Sequence, residues 1–377
     1  MNYSDYKLKG NPFRIGPPLN PEEIIWAGFK ELKEKLEIQI STSIKTSPSR
    51  IVLNWGRYGS GKTHAANYFT RTKRVDEIAA TLATTSTRNV KVNLPRTSKD
   101  PVQAFLRSFL GQINLQAIKI DFDKLIQLTN KTQVLEMIQS VSSDGVISEL
   151  LKQIIEADTP EKLTQLESYL FGDSTKGTLN KLGLPSGLKD DEQIVNFLSA
   201  YINTITYNKK LYSAFFLWID EFEDIDTLNK NGQDRFTTFL RQLFDKTPNN
   251  LALFLNFTPK TFFNIEDLSI TLGEALATRA KLRVMFEEPS IDDAKEYIIQ
   301  LINDPLNREA SPSSPSQPFE DDVIGYILKH IGRLSVRQIN EVFSLILELA
   351  LLKTADKINE EFVQSVKSEI ISWEEKQ

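Results

Sequence analysis

Two hydrophobic periods alternate along this chain, and the places where one gives way to the other mark its elements. Residues 51–55 (IVLNW), 214–219 (AFFLWI) and 251–257 (LALFLNF) are nearly continuous apolar runs of strand length, as expected of strands buried on both faces. KVNL (91–94) and KLRVMFEE (281–288) read as two further strands. The intervening segments carry helical spacing. Over 100–113, Val102, Phe105, Leu106, Phe109, Leu110 and Ile113 fall on one face, and helices are also predicted over 22–43, 62–71 and 234–246. Buried strands alternating with helices predict an α/β fold, a parallel sheet covered on both faces.

Residues 115–205 depart from that alternation. They are helical pieces (LEMIQSV, ISELLKQII, IVNFLSAYI) broken by Gly, Ser and Asp turns, and read as an insertion of roughly 90 residues. From Ser290 onward the pattern is helical throughout, interrupted by ASPSSPSQP (310–318). The expected organisation is an N-terminal segment and helix over 1–50 that packs on the core, an α/β unit over 51–288, and a helical domain over 289–377. The first segment holds NPF (11–13) and a Pro-rich joint, PPLNP (17–21). No internal repeat is visible, and no separate domain is expected after residue 375.

Composition narrows the chemistry. The 377 residues suit two or three globular units, and the absence of cysteine excludes disulfides, zinc fingers and Cys nucleophiles. With His64 and His330 the only histidines, a His-based metal site is not expected. The N-terminus has no apolar signal core, and runs such as SAFFLWI (213–219) and LILELALL (345–352) are too short to span a bilayer. The expectation is an intracellular, cytoplasmic protein without a membrane partner. A net charge of −5 argues against coating nucleic acid through bulk positive charge. RTKR (71–74), placed on the helix after the glycine loop, is the best local basic patch, although such runs are more often solvated faces.

GRYGSGKT (56–63) matches G-x-x-x-x-G-K-[ST] between a predicted strand and a predicted helix. Its glycines permit a tight turn that aims successive N–H groups at phosphate oxygens. Lys62 would reach the β- and γ-phosphates, the Thr63 hydroxyl would ligate Mg²⁺, and the following helix adds its N-terminal dipole. Gly56, Tyr58, Gly59, Ser60, Gly61, Lys62, Thr63 and His64 make up the candidate segment for binding ATP. Within it, His64 reads as structural or solvent-facing, as does His330.

FFLWIDEFED (215–224) supplies acids at the carboxyl edge of a buried strand, where α/β sheets bind ligands. Asp220 would hold Mg²⁺, directly or through water, and Glu221 would polarise the attacking water as general base. Glu223 and Asp224 are either further site carboxylates or, as expected here, solvent-facing. LFLNFTP (253–259) ends in Asn256 and Thr258, either of which would orient the lytic water or sense the γ-phosphate from a strand lying between the two motif strands. Arg279, just before a strand, is placed to be lent across a subunit boundary, and Arg337, on a helix of the last domain, to reach back over the nucleotide. For each of these four residues the plain alternative is a turn or surface role.

Taken in order, GRYGSGKT, LWIDE, Asn256/Thr258, Arg279 and Arg337 resemble the AAA+ ATPase pattern of glycine loop, acidic strand, strand-tip sensor, arginine finger and second-sensor arginine on a helical lid. The style is similar to the initiator and STAND-like side of that superfamily, which VNLPRTSKDPVQAFLRSFLGQI (92–113) also resembles. A narrower and looser resemblance, over roughly 165–300, is to the ATPases of bacteriophage-exclusion systems. It rests on an aromatic-Leu-x-Gly segment (169–172), the Leu-Gly pair of 182–183, DE-x-E, and a strand ending Thr-Pro-x-x-Phe (258–262). The AAA+ resemblance implies a parallel-sheet P-loop core with a helical insertion and an all-α lid. It also implies ATP and Mg²⁺ as cofactors, and a homo-oligomer with Arg279 acting in trans. Two departures stand out: the acidic strand comes about 160 residues after the loop, and no winged-helix domain is expected beyond the lid.

Three functions compete. The first is an oligomeric ATPase that remodels, loads or licenses partner proteins, on DNA, in a defence or mobile-element context. The second is a nucleotide-switched signalling scaffold with slow turnover, whose separate effector or DNA-processing partner carries the activity. The third, a monomeric small-molecule kinase, fits poorly with the paired acids and the lid.

Overall fold

The computed structural model describes residues 1–96, 99–142, 144–185, 187–188, 190–259 and 268–374. Five parallel-sheet strands form where the apolar runs require them: β1 (Arg50–Gly56), β2 (Arg88–Asn93), β3 (Phe215–Asp220), β4 (Leu251–Phe257) and β5 (Leu282–Phe286). Their order across the sheet is β2-β3-β4-β1-β5. Every residue of β3 and β4 is buried, as their unbroken apolar runs require, whereas β2 and β5 at the edges alternate. β1 pairs with β4 so that Asn54 faces Asn256, and β2 pairs with β3 so that Asn93 faces Asp220. Trp55 stacks on Phe257, and Trp218 stacks on Phe254 with ring centroids 4.1 Å apart.

The described residues group into two compact units. One comprises 35–55 and 73–284; the other comprises 1–34, 56–72 and 285–377. In the first, the insertion is six helices: Leu115–Leu128, Lys131–Val141, Gly145–Ile155, Pro160–Leu170, Lys176–Leu182 and Asp191–Ile205. Each starts at a side chain that accepts an N–H from its first turn, namely Asn114, Asn130, Asp144, Thr159, Thr175 and Asp190. Each cap is worth about 1 kcal/mol, so these turn residues punctuate the segment.

The insertion does not fold apart from the sheet. Ile118, Phe122, Leu150, Phe197 and Tyr201 share one core with Phe105 and Phe109 of the helix Pro101–Gln112 and Phe215 of β3. Buried Asp121 accepts hydrogen bonds from Tyr201 at 2.6 Å and Tyr212 at 2.7 Å, and lies 3.1 Å from Arg88 at the start of β2. Burial, reinforced by Asp121, pushes the Tyr201 phenol well above its ordinary value, so it stays a donor.

In the second unit the helices Ile291–Asn303, Val323–His330, Val336–Leu352 and Glu360–Val366 enclose a core that includes Tyr6, Leu8 and Phe13 of the N-terminal segment. Phe13 lies 5.4 Å from the Phe343 ring and 6.2 Å from Phe319. Phe13→Ala should therefore cost about 3–5 kcal/mol, the usual loss for a fully packed aromatic. Thermal unfolding followed by circular dichroism would show this as a lowered midpoint, and an unchanged midpoint would refute the packing.

The helix expected over 22–43 is shorter than its periodicity suggests. It begins at Lys30, after a single 3₁₀ turn at Pro21–Glu23. Gly28 and Phe29 have φ of 58° and 48°, left-handed values no helix contains. A Cβ at Gly28 would lie 2.9 Å from the Tyr297 Cα, so close approach fixes glycine there.

Candidate functional site

β1 hands the chain directly to the glycine loop, and the helix Lys62–Arg71 follows. A side chain at Gly56 would meet Phe286 at 2.6 Å and the Ser60 Oγ at 2.7 Å, leaving no room for a Cβ. Gly59 and Gly61 have φ of 80° and 96°, which other residues rarely adopt; Gly61 is also open to space on its Cβ side. At its glycines the loop presents backbone without side chains, and it ends at a helix N-terminus, the form of an anion cradle. The Lys62 ammonium is buried and donates to the carbonyls of Gly56 (2.6 Å) and Arg57 (3.1 Å). Thr63 is exposed on the first turn of the helix.

Arg337 packs on this loop. Its guanidinium lies 5.0 Å from the centre of the Tyr58 ring and hydrogen-bonds the Tyr58 hydroxyl, its Nε donates to Glu341 at 2.9 Å, and its backbone N–H reaches the Gly59 carbonyl at 3.4 Å. Glu288 lies 2.5 Å from Arg333 and 3.5 Å from Arg57. His64 bonds the Ile25 carbonyl at 2.9 Å and lies beside Trp26, an arrangement that ties down the N-terminal segment. Arg71 is spent on the carbonyls of Pro18 and Leu19, and Arg74 begins a new helix and pairs with Glu37, so RTKR does not form one basic face.

The acidic constellation lies at the carboxyl ends of the strands. Asp220, 2% exposed, accepts from Asn256 Nδ2 at 2.9 Å through Oδ1, and its Oδ2 lies 3.1 Å from Lys91 Nζ. Asn256 Oδ1 in turn accepts from Asn54 Nδ2 at 2.8 Å. Lys91, Asp220, Asn256 and Asn54 therefore form a polar row over four adjacent strands, β2-β3-β4-β1. Asn256 is fully buried in this row, whereas Thr258, beyond the strand, gives its backbone N–H to Glu223 at 3.1 Å.

Glu221 turns off β3 with φ of 54°, a left-handed conformation that costs a non-glycine residue about 1–2 kcal/mol. This turn sets its carboxylate 3.1 Å from Arg96 and 3.4 Å from the Asn93 amide. Arg96 also pairs with Asp224 at 2.7 Å. The expectation that Glu223 and Asp224 face solvent is not met. The 3₁₀ turn Phe222–Thr227 folds both back, one onto the Thr258 N–H and the other onto Arg96.

Arg279 follows the helix Glu274–Ala277 and grips Asp245 of its own chain in a fork, at 3.0 and 3.2 Å. Phe262, part of the narrower sequence resemblance, lies outside the described residues, as do Thr97 and Ser98 of the second-strand resemblance.

Sequence reasoning did not single out Lys91, Asn93, Arg96 or Asn54. The available signal was a polar residue inside an otherwise apolar strand, as at Asn54 in IVLNW, but only the strand order shows what it faces.

Among the described residues no group of three or more His, Cys, Asp or Glu side chains is placed to hold a metal unaided. Mg²⁺ in phosphate-binding enzymes is held by one or two oxygen side chains together with phosphates and water; the Asp220 carboxylate in one unit and the Thr63 hydroxyl in the other are each, by their own chemistry, an oxygen donor of that kind. Among the described residues no helix is long and apolar enough to cross a membrane.

No family model matches this chain, and a search of curated proteins finds no match. Solved structures do resemble it. The ORC2 protein of Aeropyrum pernix, solved as ADPNP-ADP complexes, superposes with a TM-score of 0.57 at 13% identity, over 98% of this chain and 74% of that one. The ORC1 protein of the same organism, solved in complex with DNA, gives 0.51 at 12%, over 97% and 70%. Cdc6p of Pyrobaculum aerophilum gives 0.51 at 12%, over 97% and 72%. With the strand order β2-β3-β4-β1-β5 and the C-terminal helices, the chain shares the AAA+ fold with these ORC structures.

Proposed function

We propose that this protein binds and hydrolyses ATP, self-associates, and couples its nucleotide state to the remodelling, loading or licensing of partner proteins on DNA. The observation that carries the reading is the buried pairing of Asp220 with Asn256 at the ends of β3 and β4, beside the strand that leads into the glycine loop. An acid and an amide locked together at that edge are oriented before any ligand arrives, which is what electrostatic catalysis of phosphoryl transfer requires.

In this reading the loop N–H groups and Lys62 hold the phosphates, Thr63 and Asp220 hold Mg²⁺, and Glu221 accepts the proton of the attacking water. Asn256 orients that water or reports the γ-phosphate. Its direct link to Asp220 favours it over Thr258 for the task. Mg²⁺ held by these two residues would supply positive charge against the charge that builds on the phosphates. Arg337 would leave the Tyr58 ring to meet the γ-phosphate, and Arg279 would leave Asp245 to serve a neighbouring copy. DNA is proposed because the ORC1 neighbour was solved bound to it. The defence setting rests on the narrower sequence resemblance alone.

One observation favours the slow, nucleotide-switched scaffold as a second reading. Glu221, Arg279 and Arg337 are each engaged by another side chain of this chain. ATP turnover measured with and without double-stranded DNA, together with native mass with and without nucleotide, separates the two. The first reading predicts DNA-stimulated turnover and nucleotide-dependent assembly. Assembly with negligible turnover that DNA does not alter would establish the second, and a monomer under all conditions would refute both.

A further inference from the structure

Lys91 is out of place in its strand. It lies on β2 between Val90 and Val92, is mostly buried (19% exposed side chain), and its ammonium sits 3.1 Å from Oδ2 of an Asp220 whose side chain is 3% exposed. Buried carboxylates are held ionised only where a counter-charge or several hydrogen bonds compensate them. Asn256, fixed by Asn54, supplies a neutral donor to Oδ1, and Lys91 brings a positive charge to Oδ2. Asn54 Oδ1 is buried without a hydrogen-bond partner among the described residues, so the row is fully buried at its β1 end and reaches partial exposure only at Lys91.

This inference rests on the proposed role of Asp220 as a metal-holding residue and goes beyond it. We propose that Lys91 is a positioning residue that stands in for the divalent cation at Asp220, so that Mg²⁺ must compete with an internal ammonium for the carboxylate. Two positive charges cannot both sit close to one buried carboxylate oxygen without repulsion, which is weakly screened there. Lysine suits the task because its charge rides on a flexible four-carbon stem that can swing aside. Occupancy of Asp220 by Mg²⁺ thus releases the Lys91 side chain, two residues before the Asn93 that touches Glu221. Lys91 thereby sets the magnesium concentration at which nucleotide is held tightly.

The test is equilibrium binding of a fluorescent ATP analogue, titrated against Mg²⁺, in wild-type protein, Lys91→Gln, Lys91→Arg and Asp220→Asn. Lys91→Gln keeps a donor for Oδ2 and removes the charge, so it preserves the buried hydrogen bonding. The expected result is half-maximal Mg²⁺-dependent binding at about tenfold lower Mg²⁺ in Lys91→Gln, the size of effect that one nearby charge exerts through partly screened surroundings. Binding in EDTA should be unchanged, and Lys91→Arg should titrate like wild type. A Lys91→Gln midpoint equal to wild type, or raised, overturns the proposal even if Asp220→Asn abolishes the Mg²⁺ dependence. If wild type and Asp220→Asn share one Mg²⁺ dependence, the metal role of Asp220 itself fails.

Discussion

Lys62→Ala is expected to weaken ATP binding by about 10- to 150-fold, the equivalent of the 1.5–3 kcal/mol that a charge-assisted hydrogen bond contributes. Lys62 is the buried cation of the loop, and its ammonium is already held over the turn by the Gly56 and Arg57 carbonyls. The cost of ordering that side chain is therefore met before the phosphates arrive, which raises what each contact to them contributes. The substitution also removes the ammonium from two loop carbonyls, so some loss of loop order adds to the effect. Calorimetric titration with ATP in the presence of Mg²⁺ reads it directly. Lys62→Arg is not expected to rescue binding, because a planar fork does not fit a position shaped for a point charge. An affinity within twofold of wild type in Lys62→Ala would remove the loop from the account.

Glu221→Gln should lower the rate of ATP hydrolysis by about 100- to 10,000-fold while leaving ATP binding intact, the range expected on loss of a general base. Glutamine keeps the shape and the contacts to Asn93 and Arg96 but cannot take a proton. The surroundings of Glu221 sharpen this expectation. Its left-handed backbone is a strained conformation held by the fold, and its carboxylate is turned toward a cation and an amide that β2 and the segment after it provide. Arg96 is held by Asp224 as well, and that hydrogen bond, with the charges of the two acids, raises its affinity for its proton.

The strands were legible because buried parallel strands must be apolar almost throughout. LALFLNF (251–257) maps onto β4 residue for residue. The glycine loop was legible because each of its residue types answers one mechanical demand, and the structure gives Gly59 and Gly61 the positive φ values that demand implies. The placement of Asn256 on a strand between the two motif strands was likewise readable, and the strand order agrees.

Other features depended on contacts that no local pattern carries. The start of the first long helix was missed because the break at Gly28–Phe29 is imposed by Tyr297, far along the chain. The charge run RTKR looked like a face, but its arginines are divided between carbonyls and a glutamate that the fold brings near. Glu223 and Asp224 looked solvated because a turn following a strand usually is, and the 3₁₀ geometry reverses that. Lys91 and Arg96 gave no motif at all. Their meaning comes from strand pairing, since Asn93 faces Asp220 only once β2 lies beside β3. The insertion was placed correctly as helical, yet its inward residues belong to the sheet's own core, which periodicity alone does not reveal.

The most direct test of the central claim is steady-state phosphate release from Mg²⁺–ATP by wild-type protein and by Glu221→Gln, with bound nucleotide quantified in the same samples. Wild type should release phosphate measurably, Glu221→Gln should release it about 100-fold or more slowly, and the variant should retain ATP at wild-type occupancy. Equal release by the two proteins, or no ATP bound to either, would contradict the claim.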